Sequence, residues 1–462
     1  MLKKSKNKTN DSPNFKLLII VAIVAVAAIG AASYYYLANM SPTPTQPTRP
    51  GQNQTTPQQP QVPTKEYYYS LAECPKTAFI VVYANDVQKS TAKSMIGILE
   101  AAFGSEGANI KDVPKCIVSK DELGINLRVY PGFVYRGDVP GLDKYTVAEE
   151  DGYKILRPAI SSALAYRFGI EAVYSYKAEA LVVEGSTLFT KVRSDLEKLK
   201  GLFTQLAVAD ITEIKKVGRS DIPVSLNYVP TVVFVSKDPL DSGLTHLEKL
   251  GDRYYVPVEA IQKMLPDYLG SRGLETTKPP PEFFDKGASF GGDEAPIKLY
   301  LLEDYWCPFC AKLYQSTGDY LESLVKDGEL QIRFVDLIVH PDVLEMHAFT
   351  DCLYEKTGDG YAYFNITREI YATLSQGKEP DLNFTIELAS KYFSQDLIDE
   401  AKQCMESKKD QIIEITTKLQ REEGLGGTPT LFFWNEEKKR GLIVIGYIEL
   451  DDMKQIIEWI KG

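Results

Sequence analysis

Two cysteines separated by two residues, Cys307 and Cys310, close the run Glu303-Asp304-Tyr305-Trp306-Cys307-Pro308-Phe309-Cys310, and Gly427-Thr428-Pro429-Thr430 follows far downstream. A CxxC pair set where a hydrophobic strand passes into an amphipathic helix can hold its sulfurs as thiolate and thiol or as one disulfide. That makes a small, exposed, reversible switch for redox chemistry on protein thiols. The bland alternative is half of a zinc site. It needs two more ligands close by, whereas the chain offers only His246, His340 and His347 and no second CxxC. Neither a metal nor an organic cofactor is called for.

The elements that must position the pair are readable around it. Pro296 to Leu302 is a short apolar segment, expected as a buried central strand. From Cys310 onward Leu313, Tyr314, Thr317, Leu321 and Leu324 recur at helical spacing. Cys307 is therefore expected at a helix N-terminus, where partial positive charge and free N–H groups stabilise a thiolate and make it the nucleophile. Cys310, one turn in, is expected to be less exposed and to resolve the mixed disulfide. Pro308 at the helix start costs no hydrogen bond. Leu330 to Leu337 reads as a second strand. Leu431 to Trp434 and Leu442 to Tyr447 read as two more, before a closing helix with Leu450, Met453, Ile456, Ile457 and Ile460 on one face. The order is β-α-β, a helical insertion, then β-β-α.

From about Gly292 the chain resembles the DsbA-like branch of the thioredoxin superfamily. Gly292-Asp293-Glu294-Ala295-Pro296-Ile297 resembles that family's entry to its first strand, Glu303 to Cys310 its active-site run, and Gly427-Thr428-Pro429-Thr430 its cis-proline loop. The resemblance covers about 170 residues. It implies that Pro429 is cis and faces the CxxC, with the backbone of Thr428 free to pair with an extended substrate segment. Trp306, Pro308, Phe309 and Glu303 would then support the active site. Cys352 and Cys404 match positions where members of this branch carry a structural disulfide in the helical insert. Two departures stand out. The dipeptide is Pro-Phe where strongly oxidising relatives have Pro-His, which removes an imidazole that favours the thiolate, while Glu303 and Asp304 disfavour it if they lie near. A less oxidising couple than in those relatives is expected. Leu301 also stands where a thioredoxin-type buried carboxylate would be; Glu303 reads as a solvated surface carboxylate, with proton relay as its alternative.

The half before it carries similar signals without the cysteines. Thr77 to Tyr83 reads as a buried strand, followed by Asn85 and a helical run with Met95, Ile98, Leu99 and Phe103. Ile125 to Pro131 is expected as a second strand and residues 157–216 as mostly helical. Tyr228-Val229-Pro230-Thr231 then leads into a strand at Val232 to Val235. One degenerate, redox-inert thioredoxin-like domain is expected over 66–270, with Asn85 to Gln88 in the place of the active site. An unrelated α/β domain is the alternative. Its expected task is to bind substrate, a membrane partner or another copy of the chain.

The six cysteines are an even set. Local order suggests one staple per half, Cys74 with Cys116 and Cys352 with Cys404, leaving Cys307 to Cys310; unpaired buried thiols are the alternative. Leu17 to Ala38 is an almost unbroken apolar stretch of 22 positions, about 33 Å as a helix and long enough to span a bilayer. Lys3, Lys4, Lys6, Lys8 and Lys16 precede it, so the N-terminus is expected in the cytoplasm and the rest outside. A cleaved signal peptide is the competing reading. Seven prolines among Thr, Gln and Asn in Ser41 to Thr64 suggest an extended stalk. A net charge of −11 argues against nucleic acid as a partner.

The expected organisation is thus a basic tail (1–16), a transmembrane anchor (17–38), a linker (39–65), the N-terminal domain (66–270) and a second linker (271–291). A thioredoxin-like α/β domain (292–462) follows, with a helical insert about 340–424. The expected function is a cell-membrane, single-pass, outward-facing thiol-disulfide oxidoreductase acting on thiols and disulfides of exported proteins, recharged by a membrane or soluble redox partner. The rivals are a chaperone or assembly factor for unfolded exported proteins and a dedicated reductant for one client.

Overall fold

The computed structural model describes residues 68–240 and 246–462. The expected tail, anchor and linker before residue 66 lie outside the described residues, and among the described residues no helix is long and apolar enough to cross a membrane. The first stretch carries β1 (Tyr68–Tyr69), β2 (Ala78–Tyr83), α1 (Asp86–Ser105), β3 (Lys115–Ser119), α2 (Lys120–Leu123), β4 (Val129–Tyr130), β5 (Gly132–Arg136), β6 (Thr146–Glu150), β7 (Tyr153–Leu156) and α3 (Pro158–Arg167). Next come β8 (Val173–Tyr174), β9 (Lys177–Glu184), α4 (Lys200–Ala207), β10 (Asp210–Gly218), β11 (Tyr228–Val229), β12 (Thr231–Val235), β13 (Leu247–Lys249), β14 (Tyr254–Pro257), α5 (Glu259–Leu269) and β15 (Gly273–Thr276). The last stretch has β16 (Ser289–Phe290), β17 (Ile297–Glu303), α6 (Pro308–Lys326), β18 (Leu330–Asp336), α7 (Leu344–Thr357), α8 (Gly360–Ser375), α9 (Leu382–Ala389), α10 (Gln395–Arg421), β19 (Thr430–Asn435), β20 (Arg440–Ile445) and α11 (Leu450–Lys461).

The chain divides into two compact units. One comprises residues up to Ala180 with Glu197–Ile214 and Phe234–Tyr255; the other comprises Leu181–Leu196, Lys215–Val233 and Val256–Gly462. The second unit is built on a seven-stranded sheet of order β11-β15-β20-β19-β17-β18-β16. Its central strand, β17, is buried at six of its seven positions because both faces are covered, as the near-continuous apolar run requires. Parallel pairing sets Glu303 of β17 beside Asp336 of β18. Antiparallel pairing sets Leu302 opposite Thr430 of β19. The C-terminal end of β17 and the start of β19 therefore meet, and the loops carrying Cys307 and Pro429 are brought to one place. Helix α6 packs Leu313, Tyr314, Thr317, Leu321 and Leu324 inward, each large apolar side chain contributing roughly 1.5–3 kcal/mol by burial. Cys352 of α7 is bonded to Cys404 of α10.

In the first unit a six-stranded sheet has the order β1-β3-β2-β5-β7-β6. Within it β2 runs parallel to β3 and antiparallel to β5, and β5 is antiparallel to β7. The same directions hold in the second unit for β17 with β18, β17 with β19, and β19 with β20. A cis Tyr130-Pro131 bond precedes β5 as a cis Thr428-Pro429 bond precedes β19. Cys74 is bonded to Cys116, and Ile80, Val82, Val118 and Val134 pack around the pair.

Several expectations need correction. The second strand of the first sheet is Lys115–Ser119; residues 125–131 are mostly loop, ending at β4 and the cis proline. Residues 157–216 are not mostly helical, because Lys177–Glu184 alternates inward and outward in the two-residue period of a strand and β10 follows it. The span 66–270 is not one sheet with one proline loop: β12 also follows a cis bond, Val229-Pro230, in a separate five-stranded sheet of order β10-β9-β12-β14-β13. Residues 271–291 are not a free linker. β15 pairs antiparallel with β20 and β16 with β18, so this segment is part of the second unit's sheet.

Candidate active site

Cys307 is the N-cap residue of α6, and Pro308 holds the first helical position without forfeiting a hydrogen bond. The backbone N–H of Cys310 donates to Cys307 Sγ at 3.3 Å. On the other side the Cys307 thiol donates to the carbonyl oxygen of Thr428, also at 3.3 Å. Thr428 is the residue before cis Pro429, so the nucleophile position and the proline loop are in direct contact. The loop is fixed in turn: Gly446 N–H donates to Pro429 O at 2.7 Å, and Thr430 Oγ1 donates to Gly427 O at 2.7 Å.

Neither sulfur is an exposed switch, which corrects the expectation. Cys307 is 4 % exposed and Cys310 fully buried, because the loop at Thr428 covers the sulfur that a free helix end would present. Access comes beside it, where Pro308 is exposed, Phe309 is 59 % exposed and Trp306 is half-buried. The Cys307 thiol is lowered from 9.0 to about 6, first by a hydrogen bond from the Cys310 thiol, against burial, with further help from Thr428 and the N–H groups of Cys310 and Phe309. Cys310 is pushed well up, chiefly by burial and then by its bond to Cys307. One sulfur is thus a thiolate near neutrality while the other keeps its proton.

Glu303 is not the solvated surface carboxylate expected from its place at the strand end. It is completely buried, since β17 continues to that residue between its two neighbours. Tyr314 of α6 donates to Glu303 Oε2 at 2.9 Å, and Oε1 has no partner among the described residues. Burial first, with the Asp336 charge opposed by the Tyr314 bond, raises its carboxyl well above the ordinary range.

Two of the chain's three histidines back the turn ahead of Cys307, though the sequence pointed to them only as possible metal ligands. Asp304 is buried and accepts from Trp306 N–H at 2.9 Å, from the N–H groups of Val339 and His340 at 2.8 Å, and bonds the His340 ring at 2.8 Å. Its backbone oxygen accepts from Cys307 N–H and from Tyr371 OH. Trp306 Nε1 donates to Pro380 O in the helical insert. His347 accepts from Tyr305 N–H and bonds Asp336. The one signal available was Asp336, an acid ending its strand as Glu303 ends the strand before it.

In the first unit Asn85 to Gln88 has the corresponding place after β2. Asn85 caps α1, its side chain accepting from Gln88 N–H at 2.9 Å. Buried Gln88 donates to Tyr130 O, the carbonyl before cis Pro131, and to Glu171 O, while its Oε1 accepts from Ala84 N–H. Val87 is 58 % exposed, close to the value at Phe309. The layout matches that at Cys307 to Cys310, with amide hydrogen bonds in place of sulfur.

Residues 285–458 match the family model described as Thioredoxin. No curated protein sequence is similar enough to count as a relative. Among solved structures, the chain is similar to Salmonella enterica Typhimurium BcfH, at 18% identity over 38% of this chain and 75% of that one, with a TM-score of 0.33. It is also similar to Wolbachia pipientis alpha-DsbA1, at 20% identity over 40% and 93%, with a TM-score of 0.32. For BdbD from Bacillus subtilis the figures are 17% identity, 39% and 95% coverage, and a TM-score of 0.32.

Proposed function

We propose, taking residues 285–458 as a DsbA-like domain of the thioredoxin superfamily, that this chain is a membrane-anchored thiol-disulfide oxidoreductase working outside the cytoplasm on exported proteins. The observation that carries the reading is Cys307 Sγ held between Cys310 N–H at a helix start and the carbonyl before cis Pro429. In the oxidising direction a client thiolate attacks Cys307 of the Cys307–Cys310 disulfide. The sulfur–sulfur bond breaks, its electron pair leaves on Cys310, and that sulfur takes a proton. Glu303, buried at the end of β17 with its carboxyl raised well above the ordinary range, is the acid we assign to supply that proton, and a solvent proton then restores it. A second client thiolate then attacks the client sulfur of the mixed disulfide. Cys307 leaves as the stabilised thiolate, with two client thiols oxidised and the active-site pair reduced. An external disulfide or other oxidant restores the pair, and the reverse sequence reduces or reshuffles client disulfides.

The location is supported by the apolar run Leu17 to Ala38 with its basic flank and by the Cys74–Cys116 and Cys352–Cys404 bonds, which suit an oxidising compartment. The first unit is a redox-inert thioredoxin-like region, a reading supported by its strand directions and by Asn85 and Gln88 in the places of the cysteines. Cys310→Ser tests the catalytic reading. It should accumulate mixed disulfides at Cys307 and lose turnover in insulin reduction and in refolding of a reduced client. Full turnover in Cys307→Ser would refute it.

A further inference from the structure

Behind the turn that leads into Cys307 runs a chain of polar groups that the redox cycle does not use. His347 of α7 is fully buried, its ring lying against the Tyr305 ring with centroids 3.8 Å apart and planes 13° from parallel. The backbone N–H of Tyr305 donates to His347 Nε2 at 3.1 Å. A ring nitrogen that accepts from an N–H must carry its lone pair, so the proton of this neutral imidazole sits on Nδ1. Nδ1 lies 2.6 Å from Asp336 Oδ1, the natural acceptor for that proton.

Asp336 is buried beside Glu303 at the end of β18. Burial disfavours its charged form, yet hydrogen bonds to its carboxylate from the His347 ring and from Asp351 favour it. Asp351 is driven well up by burial and by the Asp336 charge, so the proton shared between the two acids stays on Asp351. The remaining charged and titratable groups around the acids are Lys408 of α10, bonded to Glu355, and Tyr363, whose hydroxyl lies 3.4 Å from Asp351. Asp351 and His347 Nδ1–H thus both donate to one carboxylate. A carboxylate on one nitrogen of an imidazole fixes the tautomer and strengthens the other nitrogen as an acceptor.

We propose that His347 is a positioning residue for the redox pair: through its unprotonated Nε2 it fixes the Tyr305 amide, and with it the approach of the chain into Cys307. Only one residue, Trp306, separates Tyr305 from the N-cap. The Cys310 N–H bond that stabilises the thiolate, and the contact of Cys307 Sγ with the Thr428 loop, depend on where that residue enters the helix. No other residue of the strand-to-helix turn has its backbone N–H taken by a side chain from α7. The inference rests on the redox reading of Cys307, but its test needs only the thiol.

The experiment compares His347→Gln and His347→Phe in the reduced full chain, with near-ultraviolet circular dichroism to establish that each is folded. The glutamine can accept from Tyr305 N–H and donate to Asp336; the phenylalanine can do neither. Titrating the Cys307 thiolate by its ultraviolet absorbance should show about a tenfold loss of thiolate at a fixed pH near 6 in His347→Phe. His347→Gln should remain within about threefold of wild type, as a restored acceptor requires. A folded His347→Phe with the wild-type titration, or equal shifts in both variants, overturns the proposal. Should His347→Phe fail to fold, the nitrogen-15 spectrum of wild type decides: the neutral ring must carry its proton on Nδ1, with Nε2 accepting, and an Nε2–H ring overturns the proposal. A wild type that titrates as described but turns over no disulfide refutes the proposed function alone.

Discussion

The asymmetry between the two sulfurs predicts how the midpoint potential depends on pH. Cys307 is lowered from 9.0 to about 6, while Cys310 keeps its proton well beyond the ordinary thiol range. At about 1.36 kcal/mol per unit, a lowering of this size is on the order of 4 kcal/mol in favour of the thiolate. Reduction of the disulfide below pH 6 therefore takes up two electrons and two protons; between pH 6 and the Cys310 range it takes up two electrons and one proton. For a two-electron couple each proton contributes about 30 mV per pH unit. The midpoint should thus fall by roughly 60 mV per unit in acid and by roughly 30 mV per unit above the break. Equilibrating the protein with glutathione buffers at half-unit intervals from pH 4.5 to 8 and counting trapped thiols measures this directly. The stability of the reduced protein carries the same sign. The folded pKa lies below the unfolded one, so the contribution is fully present above pH 9, amounts to about 1.4 kcal/mol at pH 7, and is lost as pH falls through about 6. Because the Cys310 thiol is the largest cause of the lowering, Cys310→Ala should move the absorbance titration of Cys307 to higher pH. A single slope of roughly 60 mV per unit through pH 8 would refute the reasoning, since it requires both sulfurs to titrate as ordinary thiols.

Glu303→Gln should slow exchange at Cys310 by roughly tenfold to a hundredfold in stopped-flow measurements, as expected for loss of a positioned acid. Because the folded carboxyl is raised, its stabilising contribution is present at low pH and disappears as pH rises through the folded value, so the variant should lose less stability than wild type in denaturant melts above neutrality. In the first unit, Gln88→Ala removes the hydrogen bonds to Ala84, Tyr130 and Glu171 and should cost about 2–4 kcal/mol of stability in urea unfolding. The Cys307 titration should not change, and a shift there would contradict a redox-inert role for this unit.

The chemistry was legible where it depends on neighbours in sequence. A proline and an amphipathic repeat after Cys307 dictate a helix with that sulfur at its start, and the apolar run before it dictates a buried strand. The N-terminal region was harder. Lys177–Glu184, with its alanines and glutamates, has helix-forming composition but a strand's two-residue burial period, and only pairing decided which prevailed. The short strand Gly273–Thr276 looked like linker because its partner, β20, lies about 170 residues further on.

By itself, then, the sequence determined a CxxC pair at a strand-to-helix junction with Cys307 at the helix start, while that Pro429 faces it in a thioredoxin-like frame was what a family resemblance implied. What only the tertiary structure decided is the environment of the charges. Whether Glu303 meets water or protein depends on the strands laid beside it. That His347 reaches Tyr305 depends on a helix 42 residues away in the chain. Electrostatic environment is set by everything within a few ångströms in space, and no local pattern of residues encodes it.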